Sequence, residues 1–233
     1  MKGQIFLIPT TLGEQNPFQV LSPQVIETIA ATQYFIVENE KTARRFIKKV
    51  CPEKVISELT LFPLNKRIDF QEYKNYLNPI EEGFNIGIIS EAGVPGVADP
   101  GAEIVALAHQ KDIKVSPLVG PSSILLAIMA SGLNGQSFAF NGYLPIDKNE
   151  RKNAIKNLEQ RAKQLNQTQL LMETPYRNMQ LFQDFLSFCH PQTQLTIACD
   201  ITLETEYIQT KTIENWKKQN LKLDKRPCIF ALL

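Results

Sequence analysis

Short apolar runs alternate with amphipathic stretches from one end of the chain to the other. The β-rich runs are QIFLIPT (4–10), QYFIVEN (33–39), FNIGIIS (84–90), IKVSPLVG (113–120), SFAFNGY (137–143), QLLMET (169–174), QLTIACDI (194–201) and CIFALL (228–233). Between them, apolar residues at helical spacing predict helices at about 23–32, 41–50, 70–82, 100–111, 122–131, 149–164, 177–189 and 213–219. Near-continuous apolar strands separated by helices predict a parallel sheet covered on both faces, hence an α/β fold. No internal repeat or low-complexity tract breaks the pattern. Residues 1–120 carry 12 Lys+Arg against 14 Asp+Glu, and residues 121–233 carry 13 against 10. This shift places a domain boundary near residue 120, giving domains 1–120 and 121–233.

The stretch SEAGVPGVADPGAE (90–103) packs three glycines, two prolines and three carboxylates directly after an apolar run. Asp99 is expected to cap a new helix, with Pro100 in the first helical position and Glu103 adding charge to the first turn. The unit is then strand, loop, helix, strand, and ligands collect at the carboxyl ends of such strands. Gly93 and Gly96 permit unusual φ there, while Pro95 removes freedom.

The residues present exclude some ligands. Gly96 and Gly101 have the gap of a phosphate-binding loop, but Ala102 and Glu103 stand where Lys and Ser/Thr would hold phosphate and magnesium. No GxGxxG occurs, and Glu91 would repel a pyrophosphate. A cationic or zwitterionic ligand fits better.

Composition narrows the class further. A chain of 233 residues with 43% hydrophobic content can bury a sizeable core. Its 25 Lys+Arg against 24 Asp+Glu leave +1, so no whole-chain positive field draws it onto nucleic acid. Cys51, Cys189, Cys199 and Cys228 form no CxxC pair, and the histidines are His109 and His190 alone, so neither a metal site nor a disulfide framework is expected. That usage fits a reduced cytoplasm. The start MKGQIFLIPTTLG is too short in apolar residues for a signal peptide, and no run reaches a membrane span, so the chain reads as soluble.

SEAGVPGVADPG resembles the S(D/E)AGxPGxxDPG signature of the tetrapyrrole methylase superfamily, in particular the branch related to bacterial enzymes that methylate a 2′-hydroxyl of small-subunit ribosomal RNA. Other segments follow in the same order. IPTTLG (8–13) stands at that branch's first glycine loop, VGPSS (119–123) at its PGPS element, and ASGL (130–133) and NGYLP (141–145) at its ASGL and GFLP stretches. METPYR (172–177) is similar to YESPHR. Two departures fall on the substrate side: GEQN (13–16) replaces GNLxD, and ENEKT (38–42) replaces EDTR. The C-terminal segment of longer members is not expected after CIFALL.

The resemblance implies two α/β domains with S-adenosylmethionine in a cleft between them, in a cytoplasmic homodimer. A sulfonium and an ammonium suit a glycine loop with an adjacent carboxylate. Glu91, Gly93, Val94, Pro95 and Gly96 are the first candidates to hold the cofactor. Ser122 and Ser123 offer hydroxyls and early helix amides, with helix capping the plainer role for each. Gly13 lets the first loop approach, although a simple turn explains it too, and Met172 lines the adenosine pocket by family position.

Methyl transfer to a hydroxyl requires the acceptor to be positioned and its proton removed. His109 and His190 read as structural or solvated, which leaves carboxylates at strand ends. Glu173 is favoured because Arg177 follows four residues on, where it pairs with the carboxylate or grips substrate phosphate; Glu38 is second, and Glu40 reads as solvated charge. In KTARRFIKK (41–49), Arg44 and Lys48 share one helical face and Arg45 and Lys49 another, so both rows are candidates to track phosphates. A solvated helix face, with Phe46, Ile47 and Val50 buried, is the bland alternative. With a second basic cluster, KNERK (148–152), and the family likeness, ribosomal RNA in the small subunit is the first expected partner. A small molecule or tetrapyrrole as acceptor, and a cofactor-binding protein without transferase activity, are the rival functions.

Overall fold

Each apolar run in the first half of the chain becomes a strand, and the three innermost strands have core on both faces. The structure is a computed structural model describing residues 2–64, 70–223 and 225–233, and it divides into two units, Met1–Ser122 and Ser123–Leu233. The first unit contains β1 (Ile5–Ile8), α1 (Pro23–Ala31), β2 (Tyr34–Val37), α2 (Glu40–Val50), β3 (Thr60–Pro63), α3 (Phe70–Tyr76), α4 (Asn78–Glu81), β4 (Ile86–Ile89), α5 (Ala102–Gln110) and β5 (Val115–Pro117). Its five-stranded sheet, in the order β3-β2-β4-β1-β5, is parallel throughout. Ile5, Ile36, Ile86 and Ile88 pack with Leu77, Ile80, Ile104 and Leu107 on one face. Ile8, Phe35, Val37 and Ile89 pack with Val25, Ile29, Ile47 and Val50 on the other. Burial on both sides is why these strands read as unbroken apolar runs.

The second unit contains α6 (Ser123–Ser131), β6 (Phe138–Phe140), α7 (Lys148–Leu165), β7 (Thr168–Glu173), α8 (Asn178–Phe188), β8 (Gln194–Cys199), β9 (Tyr207–Thr212), α9 (Ile213–Trp216) and β10 (Cys228–Leu232). Its sheet order is β6-β7-β10-β8-β9. Leu171, Ile197 and Phe230 meet Leu181, Phe182, Phe185 and Trp216 on one face, and the Trp216 Nε1–H donates to the Leu195 carbonyl at 2.7 Å. On the other face lies α6, packed on β8, β9 and β10.

Several expectations need correction. The second sheet is mixed, because only β6 and β7 run parallel while β10 enters antiparallel between β7 and β8. The loop from β8 to β9 is short enough only for an antiparallel return. Two edge strands, β3 and β9, were not legible: one ends in Pro63, and the other, YIQTKT, lacks an apolar run. The helix expected over 70–82 is two helices, with Pro79 near the start of the second. No disulfide was expected, yet Cys199 and Cys228 are bonded, because the β8 and β10 register sets them directly opposite. Among the described residues no helix is long and apolar enough to cross a membrane, and no group of His, Cys, Asp and Glu is placed to hold a metal ion.

Candidate functional site

The ends of β1, β2 and β4 are level, with Ile8 and Val37 both opposite Ile89, so the loops that follow begin at one sheet edge. The signature loop is fixed there by a shared acceptor. The Gly93 carbonyl takes the Ser90 hydroxyl at 2.9 Å and the Thr10 N–H at 2.8 Å, which ties the loop after β4 to the loop after β1. Gly93 has φ 76°, and a Cβ there would press on Leu12 and the Pro121 carbonyl at 3.1 and 3.3 Å. A Cβ at Gly120 would overlap the Pro9 ring, so VGPSS approaches the first loop too closely for any side chain. Gly96 differs: its φ is 78°, and nothing lies within 4 Å of a Cβ built on it. Its backbone faces open space, as a loop meeting a ligand requires.

Asp99 does not cap the following helix. Helix α5 begins at Ala102 with Gly101 at its N-cap, φ 123°, and no side chain accepts from the free amides. Ala98 is left-handed at φ 60°, a strained conformation for a residue with a Cβ. Asp99 acts instead through its charge. Burial raises the pKa of Glu38, and the carboxylates of Asp99 and Glu91 raise it further, although the Glu91 N–H donates to Glu38 and opposes the shift. Burial and Glu91 likewise raise Asp99. The Glu38 Oε1 is buried with no hydrogen-bond partner among the described residues. Three carboxylates, of Glu38, Glu91 and Asp99, thus act on one another around the loop, an arrangement that suits a cationic group such as the sulfonium or ammonium of S-adenosylmethionine.

A cavity of about 210 Å³ adjoins this loop, lined by Leu12, Gly13, Arg45, Lys49, Ser90 and Glu91 among others. Asn39 caps α2 by accepting from the Lys41 and Thr42 amides at 2.9 and 3.3 Å, and this sets the Thr42 hydroxyl 2.6 Å from the Glu91 Oε1. The two basic rows of α2 have different surroundings. Arg44 donates to the Ile56 carbonyl at 3.1 Å and pairs with Glu40, and Lys48 donates to the Pro52 and Lys54 carbonyls. That row holds down the segment after the helix. Arg45 is exposed on the cavity wall, while Lys49 reaches the Gln15 carbonyl at 2.7 Å and lies 3.7 Å from Glu14.

In the second unit, Glu173 ends β7 with a side chain only 2% exposed. Its Oε1 accepts from the Thr174 N–H at 2.6 Å, the Arg177 Nε at 3.0 Å and the Arg177 Nη2 at 2.7 Å. The carboxylate is buried and saturated on one oxygen, with the pairing to Arg177 made across a strand-to-helix turn. Met172 is half-buried and held by its N–H to the Gly142 carbonyl at 3.0 Å; Ser123 opens α6, and Ser122 before it is buried.

Sequence reasoning missed Thr42, the electrostatic part of Asp99 and the close approach at Gly120. Only Gly120 carried a signal, as a glycine directly after an apolar run.

Among solved structures, diphthine synthase superposes with a TM-score of 0.67 at 14% identity, covering 99% of this chain and 89% of that one. The methyltransferase CobJ superposes at 0.63 with 16% identity, covering 98% and 93%. The fold is that of the tetrapyrrole methylases, with two α/β domains. By sequence the chain is similar to the ribosomal RNA small subunit methyltransferase I of Vibrio cholerae, 27% identical over 205 residues, which is 88% of this chain and 67% of that protein. It is similar also to the protein of that name from Thermotoga maritima, 26% identical over 213 residues, 91% of this chain and 90% of that protein. No family model matches the chain.

Proposed function

We propose that this chain is an S-adenosylmethionine-dependent methyltransferase whose acceptor is a ribose 2′-hydroxyl of small-subunit ribosomal RNA. One observation carries the reading beyond likeness: a single cavity is lined both by Glu91 and by Arg45 and Lys49. A carboxylate for a cationic cofactor thus adjoins cations for a polyanionic acceptor.

The first-unit residues that would hold the cofactor are Glu91, the backbone of Gly93, Val94, Pro95 and Gly96, Gly13 in the first loop and Ser122; Ser123 and Met172, of the second unit, are candidates through the family resemblance. When bound, it supplies a methyl group on a positively charged sulfur, a good leaving group. Arg45 and Lys49 position the acceptor through its phosphates. Glu38 takes the hydroxyl proton, since its unpartnered oxygen has no donor to lose and its environment favours the protonated form. Glu173, occupied by three donors, fixes the Arg177 guanidinium and acts through it. A cytoplasmic homodimer completes the reading.

The test is calorimetry with S-adenosylmethionine and its demethylated product, followed by tritiated-methyl transfer to small ribosomal subunits from a strain lacking this gene. Label in a ribose of the RNA is the expected result. Tight cofactor binding with no label in any RNA would replace the reading with cofactor binding alone.

A further inference from the structure

The turn after β7 is built to expose one aromatic ring. The Arg177 N–H donates to the Thr174 carbonyl at 2.9 Å and closes a tight turn with Tyr176 at its tip, 84% exposed. Beneath it the guanidinium of Arg177 is locked to the buried Glu173, so the turn is rigid on one side. On the other side it is stapled to the segment before β10. The Lys225 N–H donates to the Pro175 carbonyl at 3.2 Å, and the Asn178 side-chain amide donates to the Arg226 carbonyl. Leu223, fully buried, anchors that segment in the core, with exposed Lys222 and Lys225 at either side of it in sequence. The stretch KKQNLKLDKR (217–226) holds five Lys and Arg against one Asp in a chain whose net charge is +1.

We propose that Tyr176, with Arg177 and Lys225, forms a stacking platform for an unpaired nucleotide of the RNA acceptor. This rests on the RNA reading above. A protein-docking face would surround such an anchor with apolar companions, whereas the exposed residues within this turn or bonded to it are Thr174 and Lys225. An aromatic plane with adjacent cations matches a base and its phosphates, and sequence-tolerant single-strand binding uses that combination. The ordering cost is low because two staples and an ion pair hold the turn before any ligand arrives.

The test measures binding of a short single-stranded oligoribonucleotide carrying 2-aminopurine to the full chain and to Tyr176→Ala, Tyr176→Trp and Lys225→Gln. Wild type and Tyr176→Trp should quench the probe on binding. Tyr176→Ala should bind about 5- to 100-fold more weakly without the quench, and Lys225→Gln should reduce the salt slope by about 0.7. Cofactor affinity by calorimetry should be unchanged in all three. If wild type binds the oligonucleotide and Tyr176→Ala binds it equally well, the platform is wrong and the RNA reading stands. Wild type that binds neither this probe nor ribosomal RNA overturns both. Loss of cofactor affinity in Tyr176→Ala, with RNA affinity intact, also overturns the platform and assigns the turn to the cofactor.

Discussion

Glu38 leaves β2 with one buried oxygen that no donor reaches, close enough to Asp99 and Glu91 for their charges to act on it. Burial, Asp99 and Glu91 lift its pKa in the folded chain above the unfolded value, so the native state binds the proton more tightly. The ionised form therefore costs stability, and the cost grows as pH rises from the ordinary carboxylate range through the raised value. Replacing Glu38 with Gln should remove that cost: the unfolding midpoint at neutral pH should be equal to or above wild type, and its pH dependence over that range should flatten. Methyl transfer should fall by about 10²–10⁴-fold with cofactor affinity kept. A variant that is destabilised at neutral pH yet fully active would remove Glu38 from the site. Glu173→Gln should do the reverse, losing about 1–3 kcal/mol in urea unfolding because buried donors lose their charged acceptor, and raising KM for RNA more than it lowers kcat.

At the scale of elements, α2 shows both what the sequence carries and where it stops. Its approximate extent, its buried Ile47 and Val50 and its two basic rows follow from spacing alone, whereas Phe46, expected beside them in the core, is only partly buried and Ala43 takes that place. What distinguishes the rows does not, because the carbonyls of Pro52, Lys54 and Ile56 that bind Lys48 and Arg44 belong to a return segment with no periodic pattern. The same limit applies to the signature loop. Its position at a strand end and its need for positive φ at Gly93 and Gly96 were readable, whereas the use of Asp99 as a charge near Glu38 depends on the tertiary fold. In the second unit, strand direction was lost because β10 arrives from the far end of the chain to fill the middle of the sheet. The expected consequence for α2 is a division of labour. Arg45→Gln with Lys49→Gln should weaken RNA binding and flatten its salt dependence, since every phosphate that a side chain ceases to neutralise lowers the slope by about 0.7–0.9. Arg44→Gln with Lys48→Gln should lower the melting temperature and leave the slope alone. Equal slopes for wild type and the Arg45, Lys49 pair would return α2 to a solvated face.

For the whole molecule, stability and ligand binding are linked, because a ligand specific to the native chain adds RT ln(1 + [L]/Kd), about 2.7 kcal/mol at a hundredfold excess over Kd. S-adenosylmethionine should therefore raise Tm in proportion to the logarithm of its concentration, and the demethylated product should do the same. Gly96 is the position at which to break this link. With φ 78° and no atom within 4 Å of an added Cβ, a side chain there enters open space, and its main cost is left-handed backbone strain, of the order of 1–2 kcal/mol. In a chain of 233 residues that corresponds to a loss of a few degrees in Tm, so the variant should fold. Its side chain would occupy the space in front of the loop where the backbone is otherwise bare. Gly96→Val should thus melt slightly below wild type without cofactor and show no rise with it. A folded Gly96→Val chain with the full cofactor-dependent rise would place the cofactor away from the signature loop.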